Sequence, residues 1–233
     1  HLFGRLFRTD WPRLKRLWVV GLPIAGTWAF EVSVFSAAVY LMGLIDTVSV
    51  AAHVIALQIA ALSFMVPMGL AQAVTIRVGL GFGARNPVWI DTAGRVALSL
   101  TMAFMSLAAL IMWLFPRELA GLFLDDARPD SGPVLALAVK FLAVAAVFQL
   151  ADGAQVIGAA MLRGLQDTRV PMIYAGIGYW LFGLGTGAVL AFGLGWQGTG
   201  VWIGLAVGLA IVAGLMLFRW SRRERLGLVP ASR

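Results

Sequence analysis

The sequence predicts an all-α fold, an integral membrane six-helix bundle. Three observations predict it. Hydrophobic residues make up 61% of the 233 residues and charged residues 12%, where a soluble domain carries about a quarter charged. The apolar residues gather into six runs, each reaching the length of about 20 residues that a bilayer requires. Hydrocarbon offers no water to backbone N–H and C=O groups, so such runs take the form of helices.

The elements follow in order. Residues 1–16 form a polar, basic linker with Arg5, Arg8, Arg13, Lys15 and Arg16. The membrane lobe covers 17–220. Its first span runs about 17–45, with Pro23 near its start and Glu31 near its middle, and Asp46 and Thr47 make a tight turn. The second span, about 50–81, contains Pro67, read as a kink and a candidate hinge. Gly79 to Gly83 closes it, and Arg85, Asn86 and Pro87 form the next loop. The third span runs about 93–115. The longest loop, Pro116 to Pro133, is acidic, with Glu118, Asp125, Asp126 and Asp130. The fourth span, about 134–162, carries Asp152, and the charged turn Arg163 to Arg169 follows it. The fifth runs about 171–194 and ends at Gly195-Trp196-Gln197-Gly198. The sixth runs about 200–220, and residues 221–233 form a basic tail. Gly200, Gly204 and Gly208, with Gly183 and Gly187, form small-residue rows that let helices pack closely.

Charge gives an orientation. Six spans put both termini on one side, and 15 of the 18 Lys and Arg then fall on that side. Only Arg117, Arg128 and Lys140 remain opposite. Positively charged loops stay in the cytosol, so both termini are expected there. Trp18, Trp89 and Trp220 near inner ends, and Trp113, Trp196 and Trp202 near outer ends, fit an aromatic belt. The net charge of +7 is assigned to these orientation signals and not to nucleic acid. The chain has no cysteine, which removes disulfides and thiolate chemistry. Two histidines are too few for a His-based metal site. No signal-peptide pattern is present, and the start at His1 reads as a loop entered midway, so a fragment or a processed chain is expected.

Two acids lie inside spans, Glu31 and Asp152. A carboxylate in hydrocarbon costs about 3 kcal/mol on insertion scales, so it persists only beside a partner, water or an ion. At about 1.5 Å per helical residue, Glu31 lies about 22 Å and Asp152 about 16 Å from the cytosolic edge. Both fall near mid-membrane, where two carboxylates can share a cation or proton. Each acid could equally be satisfied by its own polar neighbour; the residues leave this open. Gln149 and Gln155 flank Asp152 at i−3 and i+3 and are read with it as one stripe facing a cavity. Asp152 with Gln149 or Gln155 offers oxygens to a hard cation. Gln58 and Gln72, about four turns apart, share a face of the second span and either line a cavity or bond neighbouring helices. His53 is read as a capping or interfacial residue. Arg163, Asp167 and Arg169 are read as fixing a cytosolic turn, with a gating contact as the lesser alternative. Gly79 to Gly83 is no phosphate loop, since no Lys-Ser/Thr follows it.

These residues give the chain a resemblance. Gly21-Leu22-Pro23-Ile24 with Glu31 following, Ala51-Ala52-His53, Met65-Val66-Pro67 and Ala73 to Gly79 resemble the second half of a multidrug and toxic compound extrusion (MATE) transporter, of the NorM-type bacterial branch. Phe148-Gln149-Leu150-Ala151-Asp152, Leu162 to Met172, and Gly198 to Trp202 continue the resemblance, which covers nearly the whole chain in order. The resemblance implies one six-helix lobe of a twelve-helix transporter in the bacterial inner membrane. It implies that Glu31 and Asp152 are this lobe's cation-site acids. It implies a further, N-terminal six-helix lobe as partner, with its own functional acid, and two copies of this lobe could pair instead. It implies organic cations as substrates, no cofactor, and Na⁺ or H⁺ as coupling ion. Phe148 departs from members that carry a hydroxyl one turn before the acid, which leaves a Na⁺ at Asp152 one ligand short.

The leading reading is therefore an antiporter half. Apolar walls hold the organic body, and the acids serve drug and ion in turn. The runner-up is a lipid-linked saccharide flippase of the same broader superfamily, disfavoured because no span places Arg or Lys at mid-depth for a pyrophosphate. An intramembrane enzyme lacks a motif around either acid. A non-transporting scaffold would give the two acids no purpose.

Overall fold

The computed structural model describes residues 10–124 and 131–229. Six helices among them are long and apolar enough to cross a membrane. They are α1 (Trp11–Ile45), α2 (Thr47–Gly83), α3 (Pro87–Leu114), α5 (Ser131–Gly164), α6 (Arg169–Gly193) and α7 (Gln197–Ser221). A short helix, α4 (Pro116–Gly121), sits between α3 and α5. The first span starts earlier than its apolar run does. Asp10 caps it by accepting from the Arg13 N–H, and Pro12 fits the first turn, where no N–H is required.

Other ends follow the same chemistry. Asp46 is the whole connection between α1 and α2: its N–H closes α1 on the Met42 carbonyl, and its carboxylate accepts from Ser49 N at 2.6 Å. Asn86 caps α3 on Trp89 N at 3.0 Å, with Pro87 in the first turn. Pro116 and Glu118 explain α4. The sequence reading makes Pro116 onward loop, but Pro fits a first helical turn and Glu118 complements its dipole. The acidic residues Asp125, Asp126 and Asp130 of that loop, with Arg128, lie outside the described residues, as do Arg5 and Arg8.

Helix α5 is the axis of the lobe. It packs on α2, α3 and α7, and from Asp152 through Leu162 every residue is buried. Helix α1 is peripheral. It buries only Pro23, Thr27, Val34, Ala38 and Met42, one narrow stripe, and packs on α2, α6 and α7. Between α1 and α5 the lobe stays open.

The glycine rows work as backbone contacts. A Cβ on Gly204 would stand 2.3 Å from the Gly187 Cα, and one on Gly208 would stand 2.6 Å from the Gly183 Cα. Only glycine allows α6 and α7 to approach this closely. Helix α6 also departs from α geometry. Ile177–Leu184 and Val189–Gly193 are π-helical, a widening the apolar pattern did not reveal.

One end of the bundle is tied together by charge. Asp167 in the α5–α6 turn accepts from Arg219 of α7 at 2.5 Å, with both side chains largely buried. Asp91 of α3 pairs with Arg223 at 2.5 Å and also with Arg95. Gln166 accepts from Arg16 at 2.8 Å. The basic ends of α1, α3, α5 and α7 thus meet on one face.

Three readings need correction. Trp202 is fully buried, against His53, Phe141 and Phe148, and is no belt residue. His53 is fully buried too, 5.5 Å from Trp202 between ring centroids, and so neither caps a helix nor meets an interface. The polar stripe on α5 is the third. Steps of three residues turn a helix by about 60° against the turn count, so Gln149, Asp152 and Gln155 fan over about 120° instead of sharing one face. All three are buried, as a stripe that avoids lipid requires, but of the three only Asp152 lines the opening between α1 and α5.

Candidate cation site

The opening between α1 and α5 is a cavity of about 390 Å³. Helix α1 contributes Trp28, Glu31, Phe35 and Ser36, α2 contributes Ala60 and Phe64, and α5 contributes Phe148 and Asp152. It forms because α1 leans on α2 and α6 without closing on α5. Its walls are apolar and aromatic, and among the described residues the two acids are the ionisable groups that line it.

Glu31 is half-buried and Asp152 is 6% exposed. Both line the cavity. The two sequence-separated carboxylates therefore face one volume. A cation placed between them would offset the cost of burying either.

Among the described residues Asp152 has one hydrogen-bond partner, the side-chain amide of Gln155, whose Nε2 donates to Oδ1 at 3.4 Å. Gln155 is held in turn by the Tyr179 hydroxyl, which donates to its Oε1 at 2.9 Å. Tyr179 lies in the π-helical part of α6 and is buried. It is the site neighbour that reading the sequence missed. No motif marks it, and the widened turn that aims it at α5 has no signature in apolar spacing.

Gln149 points elsewhere. Its amide donates to Ser63 Oγ and to the Ala60 carbonyl at 3.4 Å, about one turn ahead of Pro67 on α2. It crosslinks α5 to α2 and does not line the cavity. Pro67 itself leaves α2 continuous from Thr47 to Gly83. Gln58 and Gln72 share a face, as their spacing implies, but that face of α2 is exposed and outside the cavity.

Phe148 lines the cavity through its ring, edge-on to Phe35 at 6.2 Å and to Trp202 at 5.7 Å between centroids. It supplies shape and no oxygen. Arg163 is half-buried in the last turn of α5. Asp167 takes the turn-fixing role through Arg219. Among the described residues no group of three or more His, Cys, Asp or Glu is placed to hold a metal.

The MatE family model matches residues 23–189, which includes both acids and most of the lobe. The chain belongs to the MatE family. It is 58% identical over 225 residues to a probable multidrug resistance protein NorM of Mesorhizobium japonicum, covering 97% of this chain and 48% of that protein. It is 54% identical to the corresponding protein of Brucella suis, covering 95% of this chain and 47% of the relative. A crystal structure of a eukaryotic MATE transporter superposes with a TM-score of 0.81 at 21% identity, over 97% of this chain and 52% of that one. The chain thus spans about half the length of the relatives it matches. The MATE family is one of multidrug efflux transporters, which are membrane proteins and not enzymes.

Proposed function

We propose that this lobe supplies the cation site of a secondary antiporter that exports amphipathic organic cations in exchange for Na⁺ or H⁺. The observation that carries the reading is the pair Glu31 and Asp152 on one apolar cavity. An organic cation would place its rings against Trp28, Phe35, Phe64 and Phe148 and its charge against the acids. The coupling ion competes for the same carboxylates, so drug and ion bind in alternation. That exclusion links the two fluxes. Pro67, one turn beyond the Gln149 crosslink, is the proposed bend point of α2 when the lobe changes shape.

In this reading the chain works with a further six-helix lobe, in the bacterial inner membrane, with both described ends in the cytosol. The clustering of Arg16, Arg95, Arg163, Arg219 and Arg223 at one end of the bundle supports that orientation. Single cysteines in this cysteine-free chain test it. A cysteine at Arg117 should react with an impermeant maleimide from outside intact cells, and one at Arg225 should not. Labelling of the Arg225→Cys chain from outside would reverse the orientation.

One lobe gives one wall of a transport pathway, and alternating access needs a second body to rock against. The purified 233-residue chain in vesicles is therefore expected to insert and not to transport. Ion-driven dye uptake should appear only when the other lobe of a full-length relative is co-reconstituted. Uptake by the chain alone would overturn the two-lobe reading.

A further inference from the structure

We propose that Tyr179 sets the ion preference of the Asp152 site by locking the Gln155 amide with its NH₂ toward the carboxylate. Tyr179 is thus a positioning residue acting through Gln155. The proposal rests on the reading of Asp152 as a cation-site acid.

The amide orientation follows from hydrogen-bond chemistry. The Gln155 Nε2 donates to Asp152 Oδ1 at 3.4 Å, the arrangement a carboxylate that only accepts calls for. Oε1 is then left for Tyr179, whose hydroxyl donates to it at 2.9 Å. Both side chains are about 2% exposed, so water does not compete for either bond. The lock spends the one amide oxygen near the acid on a tyrosine. It turns an N–H dipole, positive end first, toward the place where a cation would sit.

A hard cation such as Na⁺ needs several oxygen ligands. Among the described residues the cavity's side-chain carboxylates are those of Glu31 and Asp152. Phe148 has no oxygen, Gln149 turns its amide to α2, and the Gln155 oxygen is held by Tyr179. Among the described residues Ser36 is the one hydroxyl in the lining, and it donates to its own helix at the Val32 carbonyl. The site as built therefore disfavours a bare metal ion. It suits a proton or an organic ammonium, each of which needs only the carboxylates.

Removing the lock should reverse this. Tyr179→Phe deletes one oxygen atom and leaves the ring that packs the lobe. The Gln155 amide can then rotate and present Oε1 to a cation at Asp152. Gln155→Glu reaches the same end with Tyr179 in place, since one carboxylate oxygen accepts from the hydroxyl while the other faces the site.

The test is equilibrium binding of radioactive ²²Na⁺ to the purified full chain in detergent. The chain with native Tyr179 should bind Na⁺ weakly. Tyr179→Phe and Gln155→Glu should each bind about tenfold more tightly, and Tyr179→Phe combined with Gln155→Met should lose the gain. Equal Na⁺ affinity in all four proteins would overturn the proposal, as would a gain that survives Gln155→Met. Organic-dye binding by the same proteins separates this from the parent reading. Loss of the lock should leave dye binding intact, whereas dye binding that ignores Glu31→Gln and Asp152→Asn would count against the acids themselves.

Discussion

Glu31→Gln and Asp152→Asn are each expected to abolish drug resistance conferred by the intact transporter that carries this lobe. The loss should be near complete, down to the level of cells without the transporter, because among the described residues no third ionisable group lines the cavity. Expression and insertion should survive. Each substitution is isosteric and removes a buried charge whose desolvation is unfavourable, so the lobe is not destabilised. For Asp152 the remaining amide still meets Gln155. The measurement is the minimal inhibitory concentration of an organic cation, with membrane levels matched by immunoblot. Native resistance in either variant would remove that acid from the site.

The second large effect concerns the scaffold. Gly204→Val should prevent α6 and α7 from closing and leave most of the protein aggregated on extraction. Overpacking with side chains that can yield costs about 1–3 kcal/mol. Here the added atom meets backbone, 2.3 Å from the Gly187 Cα and 2.6 Å from the Gly183 carbonyl oxygen, and backbone has no rotamer to give. Gly214→Val on the same helix is the control, because nothing lies within 4 Å of its added Cβ. Monodisperse yield by size-exclusion chromatography should fall at least about tenfold for Gly204→Val and little for Gly214→Val. The stake extends to the candidate site, since α6 carries Tyr179.

What the sequence made legible divides along physical lines. Six helices were legible because hydropathy over about 20 residues is a strong, local signal. The acids were legible because a carboxylate in such a run is costly enough to demand a reason. The glycine rows were read as packing, and the Gly204 and Gly187 backbones do touch. The burial of His53 and Trp202 was not legible. Each sits near the N-terminal end of its helix, where an amphipathic ring normally meets an interface, and the packing of α2 and of α7 on α5 draws them inside. The glutamines on α5 failed for a geometric reason: residues three apart diverge by about 60°, and on a helix surrounded by others each meets a different neighbour. Gln149 finds Ser63 on α2, and Gln155 finds Tyr179 on α6. Tyr179 itself depends on a π-helical turn with no signature in apolar spacing.

Glu31 and Asp152 are claimed to hold drug and coupling ion in alternation, and competition at equilibrium tests this most directly. Binding of a fluorescent organic cation to the purified intact transporter is measured as pH is lowered or Na⁺ is raised. The effective coupling cation is expected to displace the dye competitively in the native protein. Asp152→Asn is expected to bind the dye weakly and to show no such displacement. Dye binding that is equally tight in Asp152→Asn and still displaced by the same ion would contradict the shared site.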